Sequence, residues 1–250
     1  MSSGIFKLVG NFWRNLLDFF FPPACLLCGN PSDRVICDEC EKSLSAMDFG
    51  YCPVCEAPIS ADMSKCSAKH SHSSPIDFVR PIAEFDEQHR HLIHSFKYDG
   101  IVDVGRIFGE KIGKIITEES HFAEYDIFIP VPLHKKRHQE RRYNQAEILA
   151  KAASNICGKP VITDAVSRIV DTRSQTKLSP SQRRKNVAGA FKIINRDKIA
   201  GKNIIIVDDV VTTGATTEEI AKVLKLSGAK DICAVCIAHP EHKDSKKWGI

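Results

Sequence analysis

Residues 204–216 read Ile-Ile-Ile-Val-Asp-Asp-Val-Val-Thr-Thr-Gly-Ala-Thr, and this stretch indicates the fold class of the chain. It opens with four β-branched residues. A short run that is apolar throughout is typical of a strand buried on both faces of a parallel sheet. Residues 217–224 then show the apolar spacing of a helix. This order predicts an α/β fold, a parallel sheet with helices on both faces.

The turn after this strand has the composition of an anion-binding loop, because its hydroxyl and backbone N–H groups can approach a phosphate closely. The residues predicted to hold the phosphate are Thr212, Thr213, Gly214, Ala215 and Thr216. Asp208 and Asp209 would repel a phosphate, but carboxylates accept hydrogen bonds from vicinal sugar hydroxyls. The pair and the loop together predict a site for a ribose 5-phosphate group. The competing interpretation is an ordinary strand-to-helix turn whose acids cap the helix.

The composition is that of an ordinary globular protein. The chain has 250 residues, of which 43% are hydrophobic and 26% are charged, and its net charge is +4. This length suits one large domain, or a small module joined to an α/β domain of common size. So weak a positive charge permits an anionic ligand or a nucleic acid without requiring either.

Residues 1–21 show the spacing of an amphipathic helix. The segment has neither the continuous apolar stretch nor the cleavage site of a signal peptide, and it is too short and polar to span a bilayer. We expect it to pack on the protein's own core, without stable membrane insertion; contact with a membrane surface is the alternative. The polar tail, residues 241–250, is expected to fray.

Seven of the ten cysteines lie between residues 25 and 66. They are Cys25, Cys28, Cys37, Cys40, Cys52, Cys55 and Cys66. Cys-x-x-Cys pairs at short intervals are typical of structural zinc held by four thiolates, and a segment this small needs such support. Because no secretion signal accompanies the cysteines, disulfides are not expected. Residues 22–76 are therefore predicted to form a zinc-ribbon module with one or two zinc ions.

The spacing leaves the ligand sets of this module open. Either the first two Cys-x-x-Cys pairs share one metal ion, or the first and third pairs do. A second site would take its third ligand from Cys66, but Lys69 stands where a fourth cysteine is expected. Either His70 or His72 completes this second site, or it binds no metal.

Residues 77–240 are predicted to form the α/β domain. Strands are expected at 79–85, 126–132, 166–170, 190–194 and 231–238 beside the central run, and helices at 86–98, 102–116 and 143–156. Cys233 and Cys236 fall in the last strand, where their spacing points them to opposite faces, so we expect both in the core.

A basic cluster follows the strand that ends at Pro132, and it includes Arg137, Arg141 and Arg142. In open α/β sheets, ligands bind at the C-terminal ends of the strands. Guanidinium groups match phosphate oxygens in a bidentate geometry. We therefore expect these residues to contact a phosphate-bearing ligand, and a solvated basic loop is the alternative. Lys97, near the end of a predicted helix, is either a solvated charge or a further anion contact.

Residues 171–186 are polar and basic and show no periodicity. A loop of that length inside a compact domain is usually functional or disordered. It is predicted to be a mobile lid over a reactive sugar, with Arg173 and Lys177 as candidate contacts, or a basic arm that binds nucleic acid.

The acidic pair followed by Thr-Thr-Gly-x-Thr resembles the signature of the type I phosphoribosyltransferases, which bind phosphoribosyl pyrophosphate (PRPP) with Mg²⁺. Nearly the whole chain resembles the ComF-type proteins, in which a zinc ribbon precedes a phosphoribosyltransferase-like domain. The further motifs that carry this resemblance are Pro22-Pro23-x-Cys25-x-x-Cys28, the later cysteine pairs, residues 92–100, Pro130-Val131-Pro132 with its basic run, Tyr143-Asn144-Gln145 and Arg173-Ser174-Gln175-Thr176. Lys69 departs from the pattern, which affects the second zinc site.

The resemblance implies structural zinc, one or two ions, and a PRPP site that works with Mg²⁺. In that site Asp208 and Asp209 would be the catalytic residues that hold the ribose hydroxyls, and residues 212–216 would hold the 5-phosphate. The leaving pyrophosphate would be bound by Arg137, Arg141 and Arg142. The resemblance also implies a cytoplasmic role in natural transformation, with single-stranded DNA and DNA-uptake or recombination proteins as partners.

Two hypotheses about function follow from these expectations. The chain is an enzyme of phosphoribosyl transfer, in which case the sequence does not identify the acceptor. Alternatively, it is a module that senses PRPP, or binds single-stranded DNA, without catalysis.

Overall fold

A computed structural model describes residues 22–59, 74–172 and 179–240 of the chain. Two compact units are distinguished, the first ending at Leu44 and the second beginning at Ser45. The domain boundaries predicted after residues 21, 76 and 240 stay predictions. Several predicted features lie outside the described residues, namely the helix over 1–21, Cys66, His70, the lid contacts Arg173 and Lys177, and the tail over 241–250.

The first unit consists of a cysteine turn followed by helix α1 (Asp38–Ser43). In the turn, the Gly29 N–H donates to the Cys25 carbonyl at 2.9 Å, and Gly29 has a φ of +72°, in the region that favours glycine. Every residue of α1 is at least partly exposed. Residues 22–44, the described part of this unit, therefore have very little apolar core of their own.

The strands of the second unit are β1 (Gly50–Tyr51), β2 (Pro58–Ile59), β3 (Val79–Glu84), β4 (Ile127–Pro130), β5 (Val166–Arg168), β6 (Phe191–Ile193), β7 (Ile204–Val210) and β8 (Ile232–His239). Within the described residues, six of them form one sheet in the order β2-β1-β3-β8-β7-β4, and β5 pairs with β6 separately. Neighbours from β3 to β4 are parallel, whereas β1 is antiparallel to both β2 and β3. The predicted α/β fold with a parallel sheet is confirmed. The apolar run that begins at Ile204 forms β7, an interior strand between β8 and β4.

The helices of the second unit are α2 (Glu87–Tyr98), α3 (Val102–Glu118), α4 (Lys135–Arg141), α5 (Gln145–Cys157), α6 (Pro180–Val187) and α7 (Ala215–Leu226). The four helices predicted from periodicity are confirmed as α2, α3, α5 and α7, with small shifts of their ends. Asp86 caps α2 by accepting from the His89 N–H, and Asn144 caps α5 by accepting from the Ala146 N–H. None of the helices in the described parts of the chain is long and apolar enough to cross a membrane.

Two segments for which the sequence predicted no helix are helical. The basic run after Pro132 forms α4, and residues 180–186 of the predicted lid belong to α6. Helix α6 begins with a capping box, in which Ser179 and Gln182 each bond the other's backbone N–H. Periodicity could not reveal α6, because Val187 is the one apolar residue after its first position and a single buried residue makes no stripe.

The core of the second unit is tightly packed around β7. Residues 204–207 are completely buried, and Cys233 and Cys236 are buried beside them on β8, as predicted. On α3, Gly109 allows α5 to approach closely, since a Cβ atom there would lie 2.5 Å from the Ala152 Cβ. This packing gives the C-terminal end of β7 a rigid support.

Candidate ligand site and metal centre

The acidic pair lies at the C-terminal end of β7, where the strand leaves the apolar core. Asp208 is half-buried, and its Oδ1 accepts a hydrogen bond from the Asp209 N–H at 2.9 Å. The Asp209 Oδ1 lies 2.7 Å from the Lys97 Nζ near the end of α2. Lys97 is therefore an ion-pair partner of the acidic doublet rather than a solvated charge, a contact that the sequence analysis did not predict.

Asp208 has a strongly perturbed pKa. Burial and the neighbouring Asp209 carboxylate raise the pKa of Asp208 to about 7, and Lys97 opposes this rise. Two close carboxylates in a partly buried site favour a partner that donates hydrogen bonds or carries positive charge. The doublet is thus suited to binding sugar hydroxyls or a cation.

We expect Asp208→Asn to stabilise the protein without ligand at alkaline pH. A carboxyl group whose folded-state pKa is raised loses stability as the pH rises from its ordinary pKa near 4 to about 7. Asparagine does not titrate, so the advantage of the variant should be small at low pH and grow to as much as ~4 kcal/mol at pH 8, because each pKa unit corresponds to about 1.4 kcal/mol. Urea unfolding across this range measures it, with the exposed Asp103→Asn as control. A difference independent of pH would contradict the prediction.

The loop after β7 closes a small concave site beside the acids. Gly214 precedes α7 with a φ of +68°, which glycine adopts without strain. The site has a volume of about 30 Å³ and is lined by Asp208, Val210, Val211, Thr212, Gly214, Ala215, Thr216 and Thr217. The N-terminus of α7 opens here and favours negative charge. The structure thus brings Asp208 together with four of the five predicted phosphate contacts.

Thr213, the fifth predicted contact, lines a larger cavity of about 240 Å³ together with Tyr51 and His239. Its Oγ1 is buried and has no hydrogen-bond partner among the described residues. The His239 Nδ1 lies 2.6 Å from the Val211 carbonyl oxygen and 2.8 Å from the Tyr51 hydroxyl. Strand β1 is therefore linked to the start of the loop by two short polar contacts.

The predicted basic contacts lie on or just after α4. Arg141 stacks on the Tyr98 ring at 5.1 Å, and its Nη1 donates to the Gln145 Oε1 at 3.1 Å. Arg142 is exposed and ends α4 in the left-handed conformation, with a φ of +66°. The Arg137 Nη1 lies 3.9 Å from the Glu140 Oε2. Contact of these residues with pyrophosphate stays a prediction.

Arg168, at the C-terminal end of β5, is a basic residue that the sequence analysis missed. Its guanidinium lies 5.4 Å from the centre of the Phe191 ring and donates to the Thr172 hydroxyl. The Arg168 Nε is buried and has no hydrogen-bond partner within the described ranges. Burial lowers the pKa of Arg168, Asp208 opposes this effect, and Arg137 adds to it. The Arg168 guanidinium therefore interacts electrostatically with Asp208 and with α4. The local sequence Val-Ser-Arg gives no indication of these interactions.

The first unit presents a four-cysteine site. The sulfurs of Cys25, Cys28, Cys37 and Cys40 all lie within 4.8 Å of one another. The Cys28 and Cys37 sulfurs are 3.9 Å apart, close to the separation of about 3.8 Å that tetrahedral Zn–S bonds of about 2.3 Å require. The four residues therefore fit structural zinc, and the structure selects the first of the two predicted pairings.

The backbone around Cys25 favours its thiolate form. Burial opposes ionisation, but the backbone N–H groups of Cys28, Cys37 and Leu27 lower the pKa of Cys25 to about 6. The N–H groups of Leu27 and Cys37 each lie 3.4 Å from the Cys25 sulfur. A thiolate prepared in this way is the form that binds a metal ion.

A second turn with the same hydrogen bonds surrounds Cys52 and Cys55. The Cys52 sulfur lies 3.4 Å from the Val54 N–H, and the Cys52 carbonyl accepts from the Glu56 N–H at 2.9 Å. Glu56 has a φ of +58°, so it occupies the position that Gly29 holds in the first turn. Its predicted further ligands, Cys66 and His70, lie outside the described residues, so the second metal site stays a prediction.

Comparison with known protein families identifies both parts of the chain. Residues 16–69 match the family described as "Double zinc ribbon domain". Residues 145–248 match the family described as "Phosphoribosyl transferase domain". The matched residues include β7 and the loop after it.

Related proteins resemble the chain over most of its length. "Competence protein F" of Haemophilus influenzae is 28% identical over 85% of this chain and 95% of its own length. "DNA utilization protein YhgH" of Escherichia coli strain K12 is 28% identical, covering 86% of this chain and 96% of its own length. "Competence protein ComFC" of Bacillus subtilis is 24% identical, with coverages of 78% and 80%. The match therefore includes both the ribbon and the α/β unit.

Proposed function

This chain is a homologue of the ComF-type proteins and joins a double zinc ribbon to a phosphoribosyl transferase domain, and on that basis we propose that it binds PRPP together with Mg²⁺. The names of its relatives refer to competence and DNA utilization, which supports a role in the uptake and handling of single-stranded DNA in natural transformation. For this role we expect a cytoplasmic protein that works with DNA-uptake or recombination proteins.

One observation carries the proposal: Asp208 and the threonine loop line the same concave site at the C-terminal end of β7. A carboxylate beside a phosphate loop is unfavourable for a simple phosphate ion. It suits a phosphorylated pentose, because the ribose hydroxyls donate to the carboxylates while the 5-phosphate accepts from the loop and the N-terminus of α7. PRPP has both groups.

Phosphoribosyl transfer is the reaction that these residues would support. When pyrophosphate leaves the anomeric carbon, positive charge develops on the ribose ring, and the carboxylates of Asp208 and Asp209 would stabilise it. The guanidinium groups of Arg137, Arg141 and Arg168 would stabilise the negative charge on the departing pyrophosphate. The sugar would then be oriented between these two groups of charges.

The acidic doublet also suits Mg²⁺, a hard cation that prefers carboxylate and phosphate oxygens. The raised pKa of Asp208 supports this assignment, because a bound cation would relieve the repulsion between the two carboxylates. Asp208 and Asp209 are the residues that would hold the ion. Mg²⁺, when bound, would supply positive charge that offsets the negative charge of the pyrophosphate.

The second candidate function is binding without catalysis, either of PRPP as a signal or of single-stranded DNA. The observation that favours DNA is α4, whose seven residues include Lys135, Lys136, Arg137 and Arg141. The Lys136 side chain is largely exposed, as a phosphate contact on DNA needs to be.

Titration separates these functions. PRPP is titrated into the intact protein by calorimetry with and without Mg²⁺, and single-stranded DNA is titrated in parallel at two salt concentrations. We expect PRPP binding that requires Mg²⁺, whereas DNA binding through phosphates should weaken steeply with salt. Turnover is sought with PRPP alone and with DNA present. If the wild-type protein does not bind PRPP under any of these conditions, the proposed function is wrong.

A further inference from the structure

A phosphate bound in the loop after β7 would need a positive charge nearby, and this inference rests on the proposed function. Residues 212–216 are uncharged, and Asp208 and Asp209 lie beside them. Lys97 is already paired with Asp209 at 2.7 Å. A phosphate dianion beside two carboxylates is unfavourable unless another cation lowers the local potential.

Arg183 on α6 is in contact with the loop. Its Nη1 donates a hydrogen bond to the Thr212 Oγ1 at 2.7 Å, and Thr212 lines the concave site with Asp208. Because the Thr212 oxygen accepts from the guanidinium, its own proton points away from Arg183. The contact therefore fixes the direction of the hydroxyl as well as bringing a charge to the loop.

Helix α6 holds Arg183 in this position. The capping box of Ser179 and Gln182 closes its first turn, and Val187 in its last turn is buried in the core. Just beyond α6, the Gly189 N–H donates to the Glu219 Oε1 of α7 at 2.7 Å. Helix α7 begins at the end of the loop. Both the loop and the end of α6 are therefore connected to α7, the loop through the chain and α6 through this hydrogen bond. Arg183 thus projects from an ordered element rather than from a free lid.

We propose that Arg183 is a part of the 5-phosphate site, where it orients the Thr212 hydroxyl and sets a guanidinium charge beside a pentose 5-phosphate. The role belongs to the phosphate monoester end of the ligand. Basic residues of α4 and Arg168 would bind the pyrophosphate at the other end of PRPP. The segment predicted as a lid therefore contributes to the site through a docked helix.

The chain provides a matched control two positions further on, at Lys185. Its side chain is exposed, and it lines neither the concave site nor the larger cavity beside Thr213. Arg183→Gln and Lys185→Gln each remove one positive charge from the same helix, and glutamine is a good helix former. A difference between the two variants reports on the Thr212 contact rather than on net charge.

The probes are ribose 5-phosphate, PRPP with Mg²⁺, and pyrophosphate with Mg²⁺, each titrated into the full-length protein. Arg183→Gln should weaken ribose 5-phosphate and PRPP by about tenfold or more, as expected for a lost charge-assisted hydrogen bond. Pyrophosphate binding should stay unchanged. Lys185→Gln should change all three by less than about twofold. Arg183→Lys, which keeps the charge without the planar fork, should fall between wild type and Arg183→Gln.

Thermal unfolding of each variant shows that the folded protein is being titrated. Equal affinities of Arg183→Gln and Lys185→Gln for ribose 5-phosphate would overturn this role of Arg183 and leave the proposed function intact. An equal loss for pyrophosphate and ribose 5-phosphate would overturn it too, since the effect would not be confined to the 5-phosphate end. Wild-type protein that binds neither ribose 5-phosphate nor PRPP would remove the proposed function together with this role.

Discussion

Replacing Asp208 and Asp209 together with asparagine is expected to lower the affinity for PRPP with Mg²⁺ by more than about 100-fold. Each carboxylate would accept a charged hydrogen bond from a ribose hydroxyl or hold the cation, and such contacts contribute about 1.5–3 kcal/mol each. Two of them together amount to about 3–6 kcal/mol, and tenfold in affinity corresponds to about 1.4 kcal/mol. Isothermal titration calorimetry at pH 8, where Asp208 is mostly ionised, measures the loss.

The control for this variant removes two carboxylates elsewhere. Asp103 and Asp197 are both exposed, so Asp103→Asn/Asp197→Asn changes the net charge equally without touching the site. Unfolding is measured in parallel, because Asp209→Asn deprives Lys97 of its partner. Binding of single-stranded DNA should persist in the site variant. Unchanged PRPP affinity in a folded site variant would show that the doublet does not bind the sugar.

Removing zinc is expected to unfold residues 22–44 while the α/β unit stays folded. The buried residues of the first unit, among those described, are Cys25, Ile36 and Leu44. So small a core cannot offset the conformational entropy of the segment, whereas structural zinc contributes about 10–16 kcal/mol to the folding of comparable small domains. Hydrogen–deuterium exchange before and after chelation should show amide protection lost over residues 22–44 and retained in β7 and β8.

A pair of cysteine variants tests the same expectation without a chelator. Cys37→Ser removes one ligand of the four-cysteine site, whereas Cys157→Ser removes a half-buried cysteine at the end of α5. Metal analysis should find zinc in the wild-type protein, a reduced content in the first variant and an unchanged content in the second. A wild-type protein without zinc, or protection over 22–44 that survives chelation, would rule out the assignment.

Much of the fold and part of the site could be predicted because their signals are local in the sequence. The side chains of residues 204–207 are all apolar and alternate between the two faces of a strand, so they avoid water only if both faces are covered. The run therefore predicted an interior strand. The acids and the loop follow it directly, and Asp208 and most of the loop line one concave site. The cysteine pairs were equally readable, since a tight turn that offers two sulfurs to one ion needs a fixed short spacing.

Helices without a hydrophobic stripe were not predictable in this way. Residues 135–141 form α4 with no buried side chain, and α6 is held by a capping box and by Val187 rather than by an apolar face. Periodicity detects a helix through the residues that it buries. Where a helix buries almost nothing, its sequence resembles that of a basic loop.

The sequence alone established the α/β class, the interior strand with its acidic pair, and the cysteine pairs, but not which pairs share an ion. The tertiary structure brought together the four cysteines of the first metal centre. It also showed which distant side chains act on the acidic pair and its loop: Lys97 pairs with Asp209, Arg183 bonds Thr212, and Arg168 lowers the pKa of Asp208. The physical reason is that an ion pair or hydrogen bond between remote residues leaves no periodic trace in either segment. Its partners meet only when strand order and helix docking bring the two elements to the same end of the sheet.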